Sequence, residues 1–596
     1  MTGPTHDALH SDAWSAARRL ARTGLTRRNM LRAAGTAGVA LGAGAAAALP
    51  AAAAESGSAA AMARSEAVRR GRATHLTILQ TADIHGQLET HDEFFWENGA
   101  PAYRRTGGMA RIKTLVDRAR AENEDGTLLI DGGDCIQGSG WVALSRGGVI
   151  PPIMRAMEYD MVAPGNWEVV YGKQRLVEVI SDYDAPVISS NMFHDVNGQP
   201  GGYLFTPAYV KVVGGVRIGF VGFNDPAVPT RQSPAYSVGI KFTTPDVNAQ
   251  QWITWLREDQ QCDLVFALTH MGITRQVDLA SADYMVGVDY ILGADTHERI
   301  RTPIHGTHSA VTEPGAFGSF VGRLDLVVEN GVVKEQDYAL VEVAEKDFRE
   351  NRKVRRTVAQ VTAPYRAELS QVIGTTRTPL LRYYVLETPM DNLITDAVHE
   401  VASGLLAKQG VTLDVALSNG FRFCPPLAPP AGGTAPITRE FLYSMLPIDS
   451  NLKVATVPGS LLRPWMEKEL NNVFATDPNQ VFGGWVVRMS GMSVRFTLGR
   501  PYGQRVDSIS IGGTPLDETR SYVFSACDRD GDPPTVLCRL KGVLNPMVLP
   551  ITLHQAIETY LAAHSPVAPR VEGRVSASDL PQLLLGQLTG TGYQFR

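Results

Sequence analysis

From residue 75 onward, short apolar runs alternate with longer stretches in which apolar side chains recur every three or four positions. The runs at 76–80, 127–130, 187–189, 216–223, 264–268 and 290–293 are rich in Leu, Val, Ile and Phe, a pattern that predicts strands. Helical spacing lies between them, at 108–123, 173–183 and 247–260. Strands alternating with helices predict an α/β fold rather than an all-β or all-α one. A strand-like run at 322–329, the turn Asn330-Gly331 and a further run at 341–343 predict a hairpin that closes a first domain at 75–345. Residues 346–371 are charged and helical in spacing, as a linker helix would be, and a second α/β unit is expected over 372–596. The Pro-rich stretch 424–436 predicts a loop.

The amino terminus departs from this pattern. Thr26-Arg27-Arg28-Asn29-Met30-Leu31 precedes an uncharged Ala- and Gly-rich stretch at 33–49, then an Ala run with A-x-A cleavage positions near Ala54. That order is the order of a signal peptide, and a twin arginine before so weakly apolar a segment resembles a Tat export signal. So short a stretch of Ala and Gly spans a bilayer poorly compared with ~20 strongly apolar residues. The expectation is a cleaved segment at 1–54, no membrane span in the mature chain, and an exported protein of the periplasm or another extracytoplasmic space.

Charge narrows the function classes. The 596 residues carry 56 Lys and Arg against 61 Asp and Glu, a net −5. Removal of residues 1–54, with six Arg and two Asp, moves the balance to −9. This argues against a nucleic-acid binder relying on a basic face. At 44% hydrophobic and 20% charged residues the chain is neither disordered nor fibrous. Five Cys cannot form a disulfide framework, although Cys527 and Cys538, flanking a Gly-Asp-Pro-Pro turn, could bridge in an oxidising compartment. No Cys/His arrangement suggests a thiol nucleophile.

The candidate chemistry follows the strands of the first domain. Asp83-Ile84-His85, Gly132-Gly133-Asp134, Gly165-Asn166-Trp167-Glu168, His270 and Asp295-Thr296-His297 each come just after an apolar run. Open sheets place their sites at the carboxyl ends of strands. One such motif is ordinarily structural; five in this order resemble the calcineurin-like metallophosphoesterase family. The resemblance implies a four-layered αββα sandwich carrying two divalent metal ions. It implies Asp83 and His85 as ligands of one ion, Asp134 as a carboxylate shared by both, and Asn166 and His270 as ligands of the second. The family's last motif, G-H-x-H, here reads Ala294-Asp295-Thr296-His297, so His297 takes the second histidine's place and Asp295 the first's. An oxygen-rich set without thiolate tilts the metal toward Mn²⁺, with Zn²⁺ or Fe as alternatives. Two such ions ~3.5–4 Å apart can activate water and clamp a substrate oxyanion.

A second departure concerns the leaving group. Phosphoesterases of this family usually have Asn-His-Glu or Asn-His-Asp where this chain has Asn166-Trp167-Glu168. An indole is a donor only and cannot act as a general acid near neutral pH. An alkoxide leaving group, whose conjugate acid has a pKa approaching that of water at ~15.7, benefits from protonation. A sulfur leaving group, near ~8.5 or below, needs much less help. Trp167 therefore points to an S–S or similarly labile bond.

The second domain resembles the 5′-nucleotidase carboxy-terminal domain, and more closely that of SoxB-type thiosulfohydrolases. The matching segments include Pro389-Met390-Asp391-Asn392, Asn419-Gly420-Phe421-Arg422-Phe423, Asp528-Arg529-Asp530-Gly531-Asp532-Pro533 and the closing Tyr593-Gln594-Phe595-Arg596. Gln137-Gly138-Ser139-Gly140 and Asp295-Thr296-His297-Glu298 also look like that subgroup, whereas Val169-Val170 and Phe423 depart from it. The resemblance implies a substrate held by a SoxYZ-like carrier protein with a terminal cysteine, as a cysteine-S-thiosulfonate from which sulfate is released. In it Arg422 would grip the sulfonate with its forked donors, and Trp167 would shape the pocket. A rival enzyme reading is 5′-nucleotidase, which would need an aromatic pair to stack a base. A non-enzymatic rival is an exported binding protein on a decayed scaffold.

Overall fold

The computed structural model describes residues 73–419, 424–477, 480–481 and 483–582. The expected signal at 1–54, Arg422, Phe423, Phe482 and the closing tetrapeptide lie outside them.

Side-chain alternation builds the first domain. On the strand Thr74–Thr81, Leu76 and Ile78 enter one apolar cluster while Leu79 enters another. Leu128 and Ile130 separate from Leu129 in the same way on Thr127–Asp131. On Leu264–His270, Leu264, Phe266 and Leu268 face the shared cluster, and Val265 and Ala267 face a third. Period-two burial on both faces is what stacked, helix-covered sheets require. The shared cluster lies between a five-stranded sheet and a six-stranded sheet. Helices Met109–Glu122 and Ile150–Met157 cover the first sheet, and Ala249–Thr254 and Ile273–Leu279 the second. The architecture is the expected αββα sandwich.

The local expectations are met with three differences, one being that the second arm of the hairpin begins at Val332 rather than at 341. The run at 187–189 forms only isolated bridges, from Val187 to Val162 and from Ile188 to Thr206. The helix expected at 247–260 starts at Ala249, and after Thr254 it widens to π-type over Trp255–Asp259. The hairpin Phe320–Glu329 and Val332–Glu342 forms with Asn330 and Gly331 both at positive φ, the requirement of a type I′ turn.

The linker helix, Arg352–Leu369, begins at Asn351, whose side chain accepts from the N–H groups of Lys353 and Val354. Val354, Val358 and Leu369 join the cluster beneath the first sheet, so the linker is docked on the first domain. The second domain has a five-stranded sheet in the order Arg488–Ser490, Val415–Ser418, Ser521–Cys527, Asn451–Pro458, Leu544–Thr552, with the helices Pro389–Ala407, Leu462–Phe474 and Leu553–His564 packed on it. The stretch 424–436 is irregular until Ala435, where the strand Ala435–Thr438 begins. Cys527 and Cys538 both carry free thiols, so the bridge that their positions suggested is not formed.

Candidate metal centre

Five loops carry the candidate ligands into one place. Asp83 and His85 follow Thr74–Thr81, Asp134 follows Thr127–Asp131, and Asn166 follows the short strand Met161–Val162. His270 ends Leu264–His270, and Asp295 and His297 follow Tyr290–Leu292. Asp83, His85, Asp134, Asp295 and His297 all have φ between 50° and 87°. Such left-handed backbone is uncommon outside glycine, and five instances in one place persist only where the surroundings impose them. Here neighbouring loops do so: Asp83 N–H donates to Gly133 O and His85 N–H to Asp134 O, each at 2.8 Å.

Glu168, the last residue of the Asn-Trp-Glu triplet, ties these loops together. Its carboxylate accepts from the backbone N–H groups of Asp134, Cys135 and Gly165 at 3.0, 2.7 and 2.8 Å. Burial, reinforced by the neighbouring Asp134, pushes the Glu168 carboxyl up to about 8. Glycine at 165 is required by a close approach, because a Cβ there would overlap Asp134 Oδ1.

The side chains form two overlapping ligand sets. Asp83, His85 and His297 make one, and Asp83, Asp134 and His270 the other, each with its ligand atoms within 4.8 Å of one another. Asp83 belongs to both. Asp134 Oδ2 also faces both, 3.3 Å from His270 Nε2 and 3.7 Å from His85 Nε2. His85 Nδ1 lies 2.9 Å from Gln137 O and His270 Nδ1 2.7 Å from Gly132 O. Carbonyl oxygens accept only, so both Nδ1 atoms carry a proton and both Nε2 atoms face the carboxylates, the side from which a metal ion would be held.

Asn166 and Asp295 complete the expected set in a different manner. Asn166 Nδ2 donates to Asp295 Oδ1, and Asp295 Oδ2 accepts from Arg231 Nη1 at 3.1 Å. Asp295 Oδ1 remains 3.9 Å from His270 Nε2. Arg231 also pairs with Asp225 at 2.6 Å, and Arg275 holds the other oxygen of Asp225. Neither Arg231 nor Gln232, whose amide reaches Asn166 Oδ1 at 2.8 Å, stood out in the sequence. Arg231 ends a short helical turn and Gln232 follows it, with no motif around either.

The centre opens into a cleft between the domains. Trp167 lines it, packs against Ala316 and Phe317, and donates its backbone N–H to Asp134 Oδ1 at 2.8 Å. Tyr236 of the first domain and Trp485, Arg529 and Arg539 of the second also line it. Trp485 lines the cleft and also packs against the core of the second domain. Among the described residues, the only imidazoles lining the cleft belong to His85 and His297.

Comparison with known proteins follows the same division. Residues 76–299 match the calcineurin-like phosphoesterase family, and residues 372–526 the 5′-nucleotidase C-terminal domain. The two domains thus match the two domains of the 5′-nucleotidase/calcineurin-like metallophosphoesterase superfamily. Among curated relatives of this superfamily, the 5′-nucleotidase of Diplobatis ommata is 26% identical over 478 residues, covering 74% of this chain and 78% of its own. Protein 5NUC of Lutzomyia longipalpis is 23% identical over 553 residues, covering 84% and 92%. Two solved structures share the fold. The sulfate thiohydrolase SoxB of Thermus thermophilus superposes with a TM-score of 0.74 at 22% identity, over 85% of this chain and 98% of that one. A 5′-nucleotidase precursor, also from Thermus thermophilus, gives 0.72 at 23%, over 85% and 100%.

Calcineurin-like phosphoesterases bind two divalent metal ions, and the first domain of this chain has residues that fit them. His270 Nε2 is fully buried and makes no hydrogen bond. Asp83 and Asp134, 0% and 2% exposed, have only imidazoles as basic neighbours among the described residues. Burial raises the Asp83 carboxyl well above its ordinary value, against the pull of His270. Burial also works to raise Asp134, but the His270 ring overrides it and holds that carboxyl below the usual range. Carboxylates buried this deeply require cations, and divalent ions between the two ligand sets would supply them.

Proposed function

We propose that the protein is an exported two-metal thiosulfohydrolase that releases sulfate from a cysteine-S-thiosulfonate on a SoxYZ-like carrier protein. The observation carrying this reading is Trp167, which lines the cleft where the family's phosphoesterases keep an acid histidine. Two ions in the centre, taken as Mn²⁺ from the oxygen-rich donors, would activate water and neutralise charge on the sulfonate oxygens. In the net reaction a water oxygen joins the terminal sulfur, the S–S bond breaks, and its electron pair stays on the carrier's sulfur. Sulfate and two protons are released, because the persulfide departs as an anion. The carrier persulfide is a stable enough anion to depart without a proton donor.

The protein's own residues prepare this step. Glu168 clamps the loops of Asp134 and Gly165, and the Trp167 backbone N–H fixes one Asp134 oxygen. The indole fills the wall beside Phe317 and limits water there. Arg422 is assigned the sulfonate by resemblance. Export through the Tat route rests on Arg27-Arg28; replacing both with Lys should leave unprocessed protein inside the cell.

The names of the curated relatives favour a second reading, 5′-nucleotidase. One assay separates the two. Metal-loaded protein should release sulfate from a carrier, or its terminal peptide, bearing a cysteine-S-thiosulfonate, and should hydrolyse AMP far more slowly. Efficient AMP hydrolysis with no sulfate release would replace the thiosulfohydrolase reading with the nucleotidase.

A further inference from the structure

One dipeptide touches both the metal centre and the second domain. The short helix Val228–Arg231 ends at Arg231, which reaches Asp295, and the next residue, Gln232, reaches Asn166. Gln232 is 4% exposed, as is Asn166. The direction of this bond is determined. Asp295 accepts only, so the side of Asn166 that meets it is the amide nitrogen. Asn166 therefore turns Oδ1 to Gln232, which must donate through Nε2.

The main chain of Gln232 and the side chain of Ser233 are gripped from across the cleft. Gln232 O accepts from Arg529 Nη2, and Ser233 Oγ donates to Asp530 O. Arg529 and Asp530 lie just beyond the strand Ser521–Cys527, where Asp528 N–H is tied to Asn451 O at 2.7 Å and Arg529 Nε pairs with Asp532 at 3.4 Å. The second domain thus holds Gln232 by its main chain while the Gln232 side chain holds Asn166.

We propose that Gln232 is a positioning residue that orients Asn166 toward the metal centre and makes that orientation depend on docking of the second domain through Arg529. Asn166 Oδ1 has two lone pairs. With one taken by Gln232 and the amide nitrogen taken by Asp295, the second is aimed rather than free to rotate. Partners of this kind typically change metal affinity by ~10–100-fold when removed. The inference rests on the two-metal reading and does not depend on the substrate.

The test uses the full mature chain, stripped of metal and titrated with Co²⁺, whose visible absorption reports each equivalent bound. Gln232→Met keeps the length and the main-chain contact but removes the donor. It should bind the first equivalent as the wild type does and the second ~10–100-fold more weakly, with the urea midpoint of the metal-free protein unchanged. Arg529→Ala should weaken the second equivalent in the same direction. The double variant should bind no more weakly than Gln232→Met alone, because both act through one path. Wild-type affinity for both equivalents in Gln232→Met would overturn the positioning role. A full additional loss from Arg529→Ala in that background would overturn the link between the domains. Fewer than two Co²⁺ bound by the wild type would remove the metal-centre reading itself, a result distinguishable from either.

Discussion

Arg231 donates to Asp295 across 3.1 Å, and in doing so neutralises the residue that most departs from the family's metal-binding pattern. Where the family has a neutral imidazole, this chain has a carboxylate at 7% exposure with its own cation, itself shared with Asp225 at 2.6 Å. The buried acid is tolerated at this position because Arg231 pairs with it.

Arg231→Met therefore takes the cation from between two buried carboxylates. Loss of one member of such a group costs ~3–5 kcal/mol, and urea unfolding of the metal-free protein should register it. A midpoint equal to that of the wild type would mean that Asp295 is compensated by other means.

His270 should give up a proton when metal binds. Burial disfavours its charged form, but Asp134, Asp83 and Asp295 outweigh that and raise its pKa well above 6.5. In the metal-free protein at pH 7 the ring is accordingly protonated, and a protonated ring cannot ligate. Below the His270 pKa, metal affinity should rise about tenfold per pH unit as competition from that proton fades. Calorimetry in buffers of different ionisation enthalpy should count about one proton released per centre filled. Release of none would contradict the assignment of His270 as a ligand.

Gly165→Ala tests the packing of the loops without altering any candidate ligand. Its methyl group would overlap Asp134 Oδ1 and the Asp134 backbone nitrogen. Displacement of that carboxylate should weaken metal binding at least about tenfold, the scale seen when a ligand's support is lost. Metal analysis after dialysis against a weak chelator would reveal it, and full retention of metal would show that the loops can close in another way.

Trp167→His should restore what the family's phosphoesterases use. A placed general acid contributes ~10²–10⁴-fold, chiefly for poor leaving groups. The ratio of alkyl to nitrophenyl phosphate hydrolysis should rise by at least about tenfold in the variant, with little gain on the sulfur substrate. An unchanged ratio would mean that residue 167 does not reach the leaving group.

Much of this was legible along the chain because burial in a stacked α/β fold is written locally. Leu76, Ile78 and Leu79 reveal a strand with two dry faces by their order alone, and Asp83 and His85 follow at its carboxyl end, where such sheets hold their chemistry. The same rule picked out Asp134, Asn166, His270, Asp295 and His297 from adjacent residues. The widened helix at Trp255–Asp259 and the missing strand at 187–189 escaped it, because apolar spacing there satisfies packing without specifying hydrogen bonds.

What sequence could not supply were the contacts between loops. His85 and His297 are 212 residues apart, yet their Nε2 atoms meet at 3.1 Å because strands of the two stacked sheets deliver both loops to one place. Arg231 and Gln232 carry no motif, and their partners Asp295 and Asn166 lie 64 and 66 residues away. The identity of the candidate ligands is local, since each follows its own strand. Their charge balance and orientation depend on which loops become neighbours, and only the order of strands in the folded sheets and the docking of the second domain decide that.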